Sequence, residues 1–341
     1  MREGRQDEAA EIALLLNELY RDLYGADEFR SQDVESWIRD AEMRTLVAVA
    51  DEELVGWAEA SAGRDVNPTW WLDVLVPPQE RQREITERLV EEAEEVARAG
   101  SPAGVETKFY LPEADARLRA VVSERGYKPV SYSFRFERPL DCPPETATWP
   151  AGSSARTFRP GIDERLVYDL HMETFADQAG TLEPEPFERW RERNLSGSFD
   201  SSLWFIAEAS STPVGICLCR SEWGADRAMG WISVLGVRRR WRRQGLGLAL
   251  MLHAFGELYH RGIERVGLGV HGENPTGAPR LYERAGMVVT SATTITPSSC
   301  AESTPQADDE RAATRCISWD LKACGAGSCA VDVADNLHSE S

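Results

Sequence analysis

The sequence predicts a chain built from two copies of one mixed αβ domain. Strand–turn–strand and strand–turn–helix patterns occur twice, and three landmarks return about 160 residues further along the chain. The matching pairs, at offsets of 159, 161 and 160 residues, are Gly56 with Gly215, Val76 with Val237, and Gly126 with Gly286. A shared offset at three separated landmarks indicates an internal repeat of whole-domain length.

Each copy begins its sheet with a predicted hairpin. Residues 45–60 read as strand, acidic turn and strand, and residues 203–219 follow the same pattern. A further apolar run, 70–76 in the first copy and 231–237 in the second, precedes a polar turn and then a helical segment. Apolar runs of this length bounded by turn residues are typical of buried strands.

The domain boundaries follow from composition. Residues 139–155 hold four prolines and show no helical period, which indicates a linker between the two copies. We therefore expect a first domain over residues 1–140, a linker over 141–155 and a second domain over 156–322. Small and polar residues dominate the end of the chain, so residues 323–341 are predicted to form a flexible tail.

Charge and cysteine content exclude several classes of function. The net charge is −19, from 38 basic and 57 acidic residues, which argues against a nucleic-acid partner. No apolar stretch is long enough to span a membrane, and the N-terminus lacks a convincing signal peptide, so a cytoplasmic protein is expected. Seven cysteines without a C-x-x-C pair favour neither a zinc site nor a disulfide framework, and no metal is predicted.

The second copy carries an anion-binding pattern. The apolar run that ends at Val237 is followed by the basic turn Arg238–Arg243, by Gln244-Gly245-Leu246-Gly247 and by an apolar helical segment from Leu248. A helix N-terminus directs backbone N–H groups and a positive dipole at an anion, and glycines permit close approach. A pyrophosphate-bearing ligand is the first hypothesis; the alternative is a solvated helix start.

Spacing selects among the known phosphate loops. No Lys-Ser/Thr follows the glycines as a P-loop requires, and Leu250 breaks the dinucleotide fingerprint. Residues 242–247 instead fit [QR]-x-x-G-x-[GA], which resembles the acetyl-CoA pyrophosphate loop of the GNAT acyltransferase superfamily. Downstream, Asn274 precedes an A-x-x-L-Y-x-x-x-G-M pattern that runs from Ala278 to Met287, and this is similar to the second motif of that superfamily.

This resemblance implies a fold, a co-substrate and site residues. Each copy would be a mostly antiparallel sheet flanked by helices, with acetyl-CoA as co-substrate and no metal. Tyr282 would act as general acid, and Glu273 is the first candidate for a base, with Glu173, Asp177, His271 or solvent as alternatives. The residues implied to bind acetyl-CoA are Leu235, Gly236, Val237, Arg242, Arg243, Gln244, Gly245, Leu246, Gly247, Leu248 and Asn274.

The two copies differ at these positions. At the repeat offset, Glu84 stands where the second copy has Gly245, and Val122 stands where it has Tyr282. A carboxylate repels a pyrophosphate, and valine cannot donate a proton. We therefore expect a degenerate first domain and an active site in the second.

The expected reaction is transfer of acetyl from acetyl-CoA to a primary amine of a small molecule. The tandem arrangement and residues 158–164 and 172–180 are similar to the mycothiol synthases of actinobacteria. That resemblance places two acceptor-binding residues at Gly230 and Gly269, where glycine cannot make the contact, so a different amine is an open alternative. A second alternative is an acyl-CoA-binding sensor without transfer activity, and either a monomer or a homodimer is expected.

Overall fold

The computed structural model describes residues 1–62, 69–100, 106–176, 185–196, 199–271 and 277–297. In these ranges the strands are β1 (Arg2–Glu3), β2 (Met43–Ala50), β3 (Glu53–Ala62), β4 (Thr69–Leu75), β5 (Glu106–Pro112), β6 (Ser131–Pro139), β7 (Ser153–Thr157), β8 (Trp204–Ala209), β9 (Thr212–Arg220), β10 (Met229–Val237), β11 (Arg265–His271) and β12 (Val288–Pro297). The helices are α1 (Ala9–Tyr24), α2 (Ser31–Arg39), α3 (Gln82–Ala99), α4 (Ala116–Glu124), α5 (Glu164–Phe175), α6 (Phe187–Asn194), α7 (Leu246–His260) and α8 (Ala278–Arg284).

The described residues form two compact units. The first unit contains residues 1–133 and the part of β12 from Ser291 onward, and the second runs from Phe134 to Thr290. In the first unit the strand order is β1-β2-β3-β4-β5-β12. Only the β4–β5 pair of this sheet is parallel among its described ladders. One face packs against α1 and α2, and the other packs against α3 and α4.

The second unit repeats this plan. Its strand order is β6-β11-β10-β9-β8-β7, with β10 and β11 parallel and the β10–β9, β9–β8 and β8–β7 pairs antiparallel. Helices α5 and α6 cover one face, and α7 and α8 cover the other. The predicted fold class, two mixed αβ copies with mostly antiparallel sheets and helices on both faces, is confirmed.

The hairpins of the two copies share their detailed geometry. Each turn places two consecutive non-glycine residues at positive φ, Asp51 and Glu52 in the first copy and Ser210 and Ser211 in the second. Two-residue turns with both central residues at positive φ match the right-handed twist of the flanking strands. Each hairpin also has a register shift at the same place, which leaves one residue of the strand after the turn, Val55 of β3 or Val214 of β9, outside the pairing. The internal repeat is therefore a repeat of local structure as well as of sequence.

The compact units do not coincide with the two sequence copies, and the difference lies in the last strand of each copy. Residues Thr293–Pro297 of β12 pair antiparallel with Lys108–Pro112 of β5, so the second copy completes the sheet of the first unit. In β6, Phe136 lies in the core of the second unit. The predicted boundary after residue 140 follows the repeat, whereas packing assigns β6 from Phe134 onward to the second unit. Ala147 and Trp149 of the predicted linker pack against that same core.

Glycines admit close packing between helix and sheet at equivalent places. A Cβ at Gly56 would lie 2.8 Å from Leu89 of α3, and a Cβ at Gly215 would lie 3.3 Å from Leu250 of α7. The tightest contact of this kind on β10 is at Gly236, where a Cβ would lie 2.3 Å from Oγ1 of Thr174 on α5. Helix α5 therefore packs directly on the backbone of β10.

We expect Gly236→Ala to destabilise the protein by about 2 kcal/mol, because overpacking forces α5 away from β10. Gly256→Ala is the matched control, since its Cβ would meet nothing within 4 Å on α7. Alanine has the higher helix propensity, so the control should stabilise the protein by about 0.5–1 kcal/mol. Urea unfolding of both variants measures the difference; equal effects would contradict this account of α5 packing.

Candidate active site

The candidate site begins where β10 and β11 separate. Their parallel pairing joins only Met229–Trp231 to Arg265–Gly267, although both strands continue. Directly beyond this point β10 has a bulge between Ile232 and Val234 in its pairing with β9. A bulge bends its strand and increases the local twist, which separates β10 from the neighbour on its other side. The result is a wedge between two parallel strands.

Ser233 occupies the bulge itself. It is buried, and its hydroxyl has no hydrogen-bond partner among the residues that the structure describes. Ser233 is not among the predicted site residues, although it is the single hydroxyl-bearing side chain in the run 231–237. An unpaired buried hydroxyl at the mouth of the wedge can hydrogen-bond a ligand that enters there.

Leu235, Gly236 and Val237 lie on the separated part of β10. Leu235 and Val237 point into the core beneath α7, and Gly236 faces α5. In the described ladder, none of the three has a partner on β11. Strand edges of this kind bind extended amide chains through main-chain hydrogen bonds. The structure therefore brings these three predicted residues to a strand edge that suits a pantetheine arm.

The turn after β10 leads into the N-terminus of a long helix. Gly245 is the N-cap of α7 with φ +86°, and a Cβ there would meet nothing within 4 Å. Arg243 also has a positive φ, +62°, which is unusual for a non-glycine residue and costs about 1 kcal/mol or more. Leu246 and Gly247 are buried and Leu248 is half-buried in the first turn of the helix. Open space before a helix N-terminus suits an anionic group.

The side chains of this turn have two different roles. Arg242 donates hydrogen bonds from Nε to the carbonyl oxygen of Val237 at 3.0 Å and from Nη2 to that of Thr174 at 3.1 Å. Gln244 donates to the carbonyl oxygen of Arg240 at 3.1 Å. These two predicted binding residues thus hold the shape of the turn. The exposed guanidinium groups of the turn belong to Arg239, Arg240 and Arg243.

Tyr282 lies in the core of the second unit. Its side chain is fully buried on α8, and its ring meets that of Phe136 edge-to-face at 5.2 Å between centroids. The helix ends at a left-handed glycine, Gly286, with φ +80°, as α4 ends at Gly126 with φ +89°. The predicted equivalence of Val122 and Tyr282 agrees with these helix ends, since each lies four residues before the glycine. Sequence reasoning did not find Phe136, because it comes from the first copy.

Of the four side chains considered as a general base, the structure describes Glu173 and His271. Glu173 forms a 3.0 Å ion pair with Arg238 of the basic turn and is half exposed. His271 is the last residue of β11 and is half-buried. Glu273, Asn274 and Asp177 lie outside the described residues.

A buried histidine on α5 does not supply the missing base. Burial lowers the pKa of His171 to about 3, and its Nδ1 accepts a 3.0 Å hydrogen bond from Nε1 of Trp190. The neutral ring therefore carries its proton on Nε2, and its acceptor nitrogen is occupied.

The structure corrects two positional predictions. Glu84 is not the counterpart of Gly245: it lies in the first turn of α3, where it forms an ion pair with the N-cap residue Arg81. Counted from the equivalent residues Val76 and Val237, the helix N-cap comes five residues later in the first copy and eight residues later in the second, so a constant offset fails across this connection. Arg81 is the true counterpart of Gly245.

The second position is Gly230, where the resemblance places an acceptor-binding residue. A Cβ at Gly230 would lie 2.9 Å from Leu258 of α7, so this position faces the core beneath that helix. The next residue, Trp231, points to the opposite face and stacks on Trp223 with 3.5 Å between ring centroids. A spacing argument that ignored the alternation of side chains along β10 selected the wrong face.

No group of three or more potential metal-ligating side chains lies together in the described part of the chain. Among the same residues, no helix is both long enough and apolar enough to cross a membrane.

Comparison with known proteins identifies the family. The model of the acetyltransferase (GNAT) family matches the chain twice, over residues 10–127 and 165–287. The chain belongs to the GNAT acetyltransferase family. The two matches confirm the tandem prediction and the predicted enzyme class, an acetyl-CoA-dependent N-acetyltransferase.

Individual relatives agree with this assignment. A mycothiol acetyltransferase of Thermobispora bispora is 37% identical over 45% of this chain. The matched region spans about half, 52%, of the length of that relative. A mycothiol acetyltransferase of Rhodococcus erythropolis is 30% identical over 71% of this chain and 80% of the relative. The crystal structure of a GCN5-related N-acetyltransferase from Sphaerobacter thermophilus is similar, with a TM-score of 0.72 and 32% identity over 87% of this chain and 94% of that one.

The contacts of the basic turn predict separate effects for two arginines. Arg242→Ala should lower the free energy of unfolding by about 1–3 kcal/mol, because it removes two charge-assisted hydrogen bonds that hold the turn. Arg239→Ala, at an exposed position, should change it by less than about 0.5 kcal/mol. Urea unfolding without ligand measures both; an equally small effect of Arg242→Ala would refute its bracing role.

Proposed function

We propose that the second unit transfers the acetyl group of acetyl-CoA to a primary amine of a small molecule. The observation that carries this proposal is the wedge between β10 and β11, followed on the same chain segment by the glycine N-cap of α7. The wedge offers a strand edge to the pantetheine arm, and the helix start offers backbone donors to the pyrophosphate. The first unit has no glycine N-cap at the equivalent helix, because Arg81 and Glu84 occupy the start of α3.

Main-chain groups would hold the co-substrate. The edge of Leu235–Val237 would pair with the amides of pantetheine, and the N–H of Leu235 or Gly236 would polarise the thioester carbonyl oxygen. The backbone from Arg243 to Leu248 would surround the pyrophosphate, with charge from the exposed arginines. Asn274 would position α8 next to this site. No metal is required for any of these contacts.

The proposed reaction joins an amine nitrogen to the acetyl carbon and breaks the carbon–sulfur bond of the thioester. The lone pair of the uncharged amine attacks the carbonyl carbon, and the sulfur leaves with the bond electrons. Tyr282 gives its phenolic proton to the departing thiolate. The proton lost by the amine passes to Glu273 or to solvent, since Glu173 is already paired with Arg238.

The acceptor is proposed from the relatives. Both quoted curated relatives are mycothiol acetyltransferases, so the first amine to test is cysteinyl-glucosaminyl-inositol, followed by aminoglycosides. Trp231 and Trp223 form an aromatic stack on the α5 side of β10, and neither lies at the positions, Gly230 and Gly269, where the resemblance places acceptor-binding residues. A different small amine is therefore part of the same proposal.

A thiol-release assay with acetyl-CoA and this amine panel tests the proposed function. Turnover on the cysteinyl compound supports mycothiol-type transfer, and turnover on another amine supports a remodelled acceptor site. If no amine of the panel causes thiol release, and coenzyme A still raises the melting temperature, the protein is an acyl-CoA sensor and not a transferase. That alternative is favoured by one observation, the complete burial of the Tyr282 side chain.

Tyr282→Phe should lower kcat more than tenfold and change the Kd for acetyl-CoA less than twofold, because it removes only the proton donor. Tyr259→Phe, a half-buried tyrosine of α7, is the matched control and should retain kcat within twofold. Steady-state kinetics and calorimetric binding measure these values. Unchanged turnover by Tyr282→Phe would remove this tyrosine from the mechanism.

A further inference from the structure

Ser233 is an inserted residue of β10. The pairing of β10 with β9 shifts its register between Ile232 and Val234, so Ser233 lies outside that ladder. On the other side of the strand, the pairing with β11 has already ended at Trp231. Ile232 packs in the core beneath α7 and α8, whereas Val234 packs beneath α5 and α6. Residues two apart in a regular strand share one face, so β10 changes its alternation at Ser233.

The first unit shows that the fold does not require this insertion. Its corresponding strand, β4, pairs with β3 from Trp70 to Leu75 without a register shift. The parallel pairing of β4 with β5 nevertheless ends early, at Leu72 and Phe109. Both units therefore have separating parallel strands, and the bulge with its serine directly beyond the last pair is a feature of the second unit.

The two strands of the wedge carry small residues at the level of Ser233. Two residues beyond the last β10–β11 pair stand Ser233 on β10 and Gly269 on β11. At the same step beyond the last β4–β5 pair of the first unit stand Val74 and Leu111, and both pack in the core beneath α3 and α4. Small residues at this level leave room for a ligand group where the first unit has two apolar side chains.

The hydroxyl of Ser233 has hydrogen-bonding capacity that the described residues do not use. Ser233 is 5% exposed, and its Oγ has no hydrogen-bond partner in the part of the chain that the structure describes. A hydroxyl can accept two hydrogen bonds and donate one. A buried hydroxyl without a partner costs free energy, and a ligand group that bonds it recovers that cost.

The proposed reaction brings an amine nitrogen close to this hydroxyl. The pyrophosphate would lie beyond Val237, so the acyl end of the co-substrate points back along β10 toward Ser233. Leu235, one of the two residues proposed to polarise the thioester carbonyl, is about 7 Å from Ser233 along the strand. The attacking nitrogen lies about 3 Å from the carbonyl carbon, whose oxygen lies about 3 Å from the polarising N–H. Oγ of Ser233 is therefore within reach of an N–H group of the attacking amine.

We propose that Ser233 accepts a hydrogen bond from the attacking nitrogen and thereby selects primary amines. This inference rests on the proposed transfer reaction and adds the residue that positions its acceptor. A primary amine has two N–H groups, so one can bond Oγ of Ser233 while the other remains for the group that removes the proton. An N-methyl amine has one N–H group and cannot do both, so its reaction leaves a buried polar group without a partner.

The kinetic test compares Ser233→Ala with the unmodified full-length protein on matched pairs of amines. The primary amines are cysteinyl-glucosaminyl-inositol, glucosamine and 2-aminoethanol, each paired with its N-methyl derivative, and thiol release from acetyl-CoA is measured. We expect Ser233→Ala to lower kcat/KM for the primary amine about tenfold and to change it for the N-methyl derivative less than about threefold. The Kd for acetyl-CoA, measured by calorimetry, should change less than about twofold, because the hydroxyl bonds the other substrate.

Two further variants separate this role from a structural one. Ser61→Ala removes another buried hydroxyl that has no partner among the described residues, from β3 of the first unit, and should keep the kinetics of the unmodified protein. Both alanine variants should raise the melting temperature by about 1–3 °C, because each removes an unpaired buried polar group. Ser233→Thr keeps the hydroxyl and should retain the preference for the primary amine.

Three kinetic results contradict this role: unchanged kinetics of Ser233→Ala, an equal loss with both members of each amine pair, or a change in the Kd for acetyl-CoA as large as the loss of kcat/KM. A melting temperature of Ser233→Ala lowered by more than about 2 °C would show that the hydroxyl supports the fold, and would also overturn the role. If the unmodified protein releases no thiol with any amine, the proposed transfer fails and this role fails with it. An active unmodified protein with any of the three kinetic results retains the transfer and removes Ser233 alone.

Discussion

The early end of the β10–β11 pairing is the constraint on which the site depends. Three residue pairs join these strands, whereas β10 remains paired with β9 as far as Val237. The antiparallel ladder and the helix packing hold β10 in place, so its other edge can stay open without unfolding. The bulge at Ser233 turns the strand away from β11, and the close contact of Gly236 with Thr174 fixes the direction it takes. The start of α7 follows from that direction.

The sequence predicts those features that depend on local chemistry. Both hairpins, the strand before the basic turn and the helix that begins at Gly245 are confirmed, because apolar periodicity and glycine conformations act over a few residues. Features that depend on distant partners could not be predicted in this way. Strand β6 of the first copy joins the second unit, and β12 of the second copy joins the sheet of the first unit. This placement depends on which sheet edge is available, and the residue pattern of either strand does not indicate it.

Loop length and side-chain direction explain the two wrong positions. A constant repeat offset assigned Glu84 to the place of Gly245, but the shorter connection in the first copy shifts the helix start to Gln82. For Gly230, alternation along β10 puts the position beneath α7. The role of Arg242 could not be predicted from the sequence either. An arginine that stabilises a turn and an arginine that binds phosphate can occupy the same position of the motif.

The two copies have diverged in complementary ways on one scaffold. The second unit has the apolar residues Trp204, Leu218 and Val234 beneath α5 and α6 and an open helix start. The first unit has Thr45, Glu59 and Asp73 in the same strand positions and an Arg–Glu ion pair at its helix start. Neither copy is self-sufficient, because Phe136 of the first copy packs against Tyr282 and β12 of the second completes the other sheet. Exchange of terminal strands therefore links the stability of the proposed transfer site to residues that the repeat assigns to its degenerate partner. The core of the second unit is incomplete without β6, which the repeat assigns to the copy that has no glycine at its helix start.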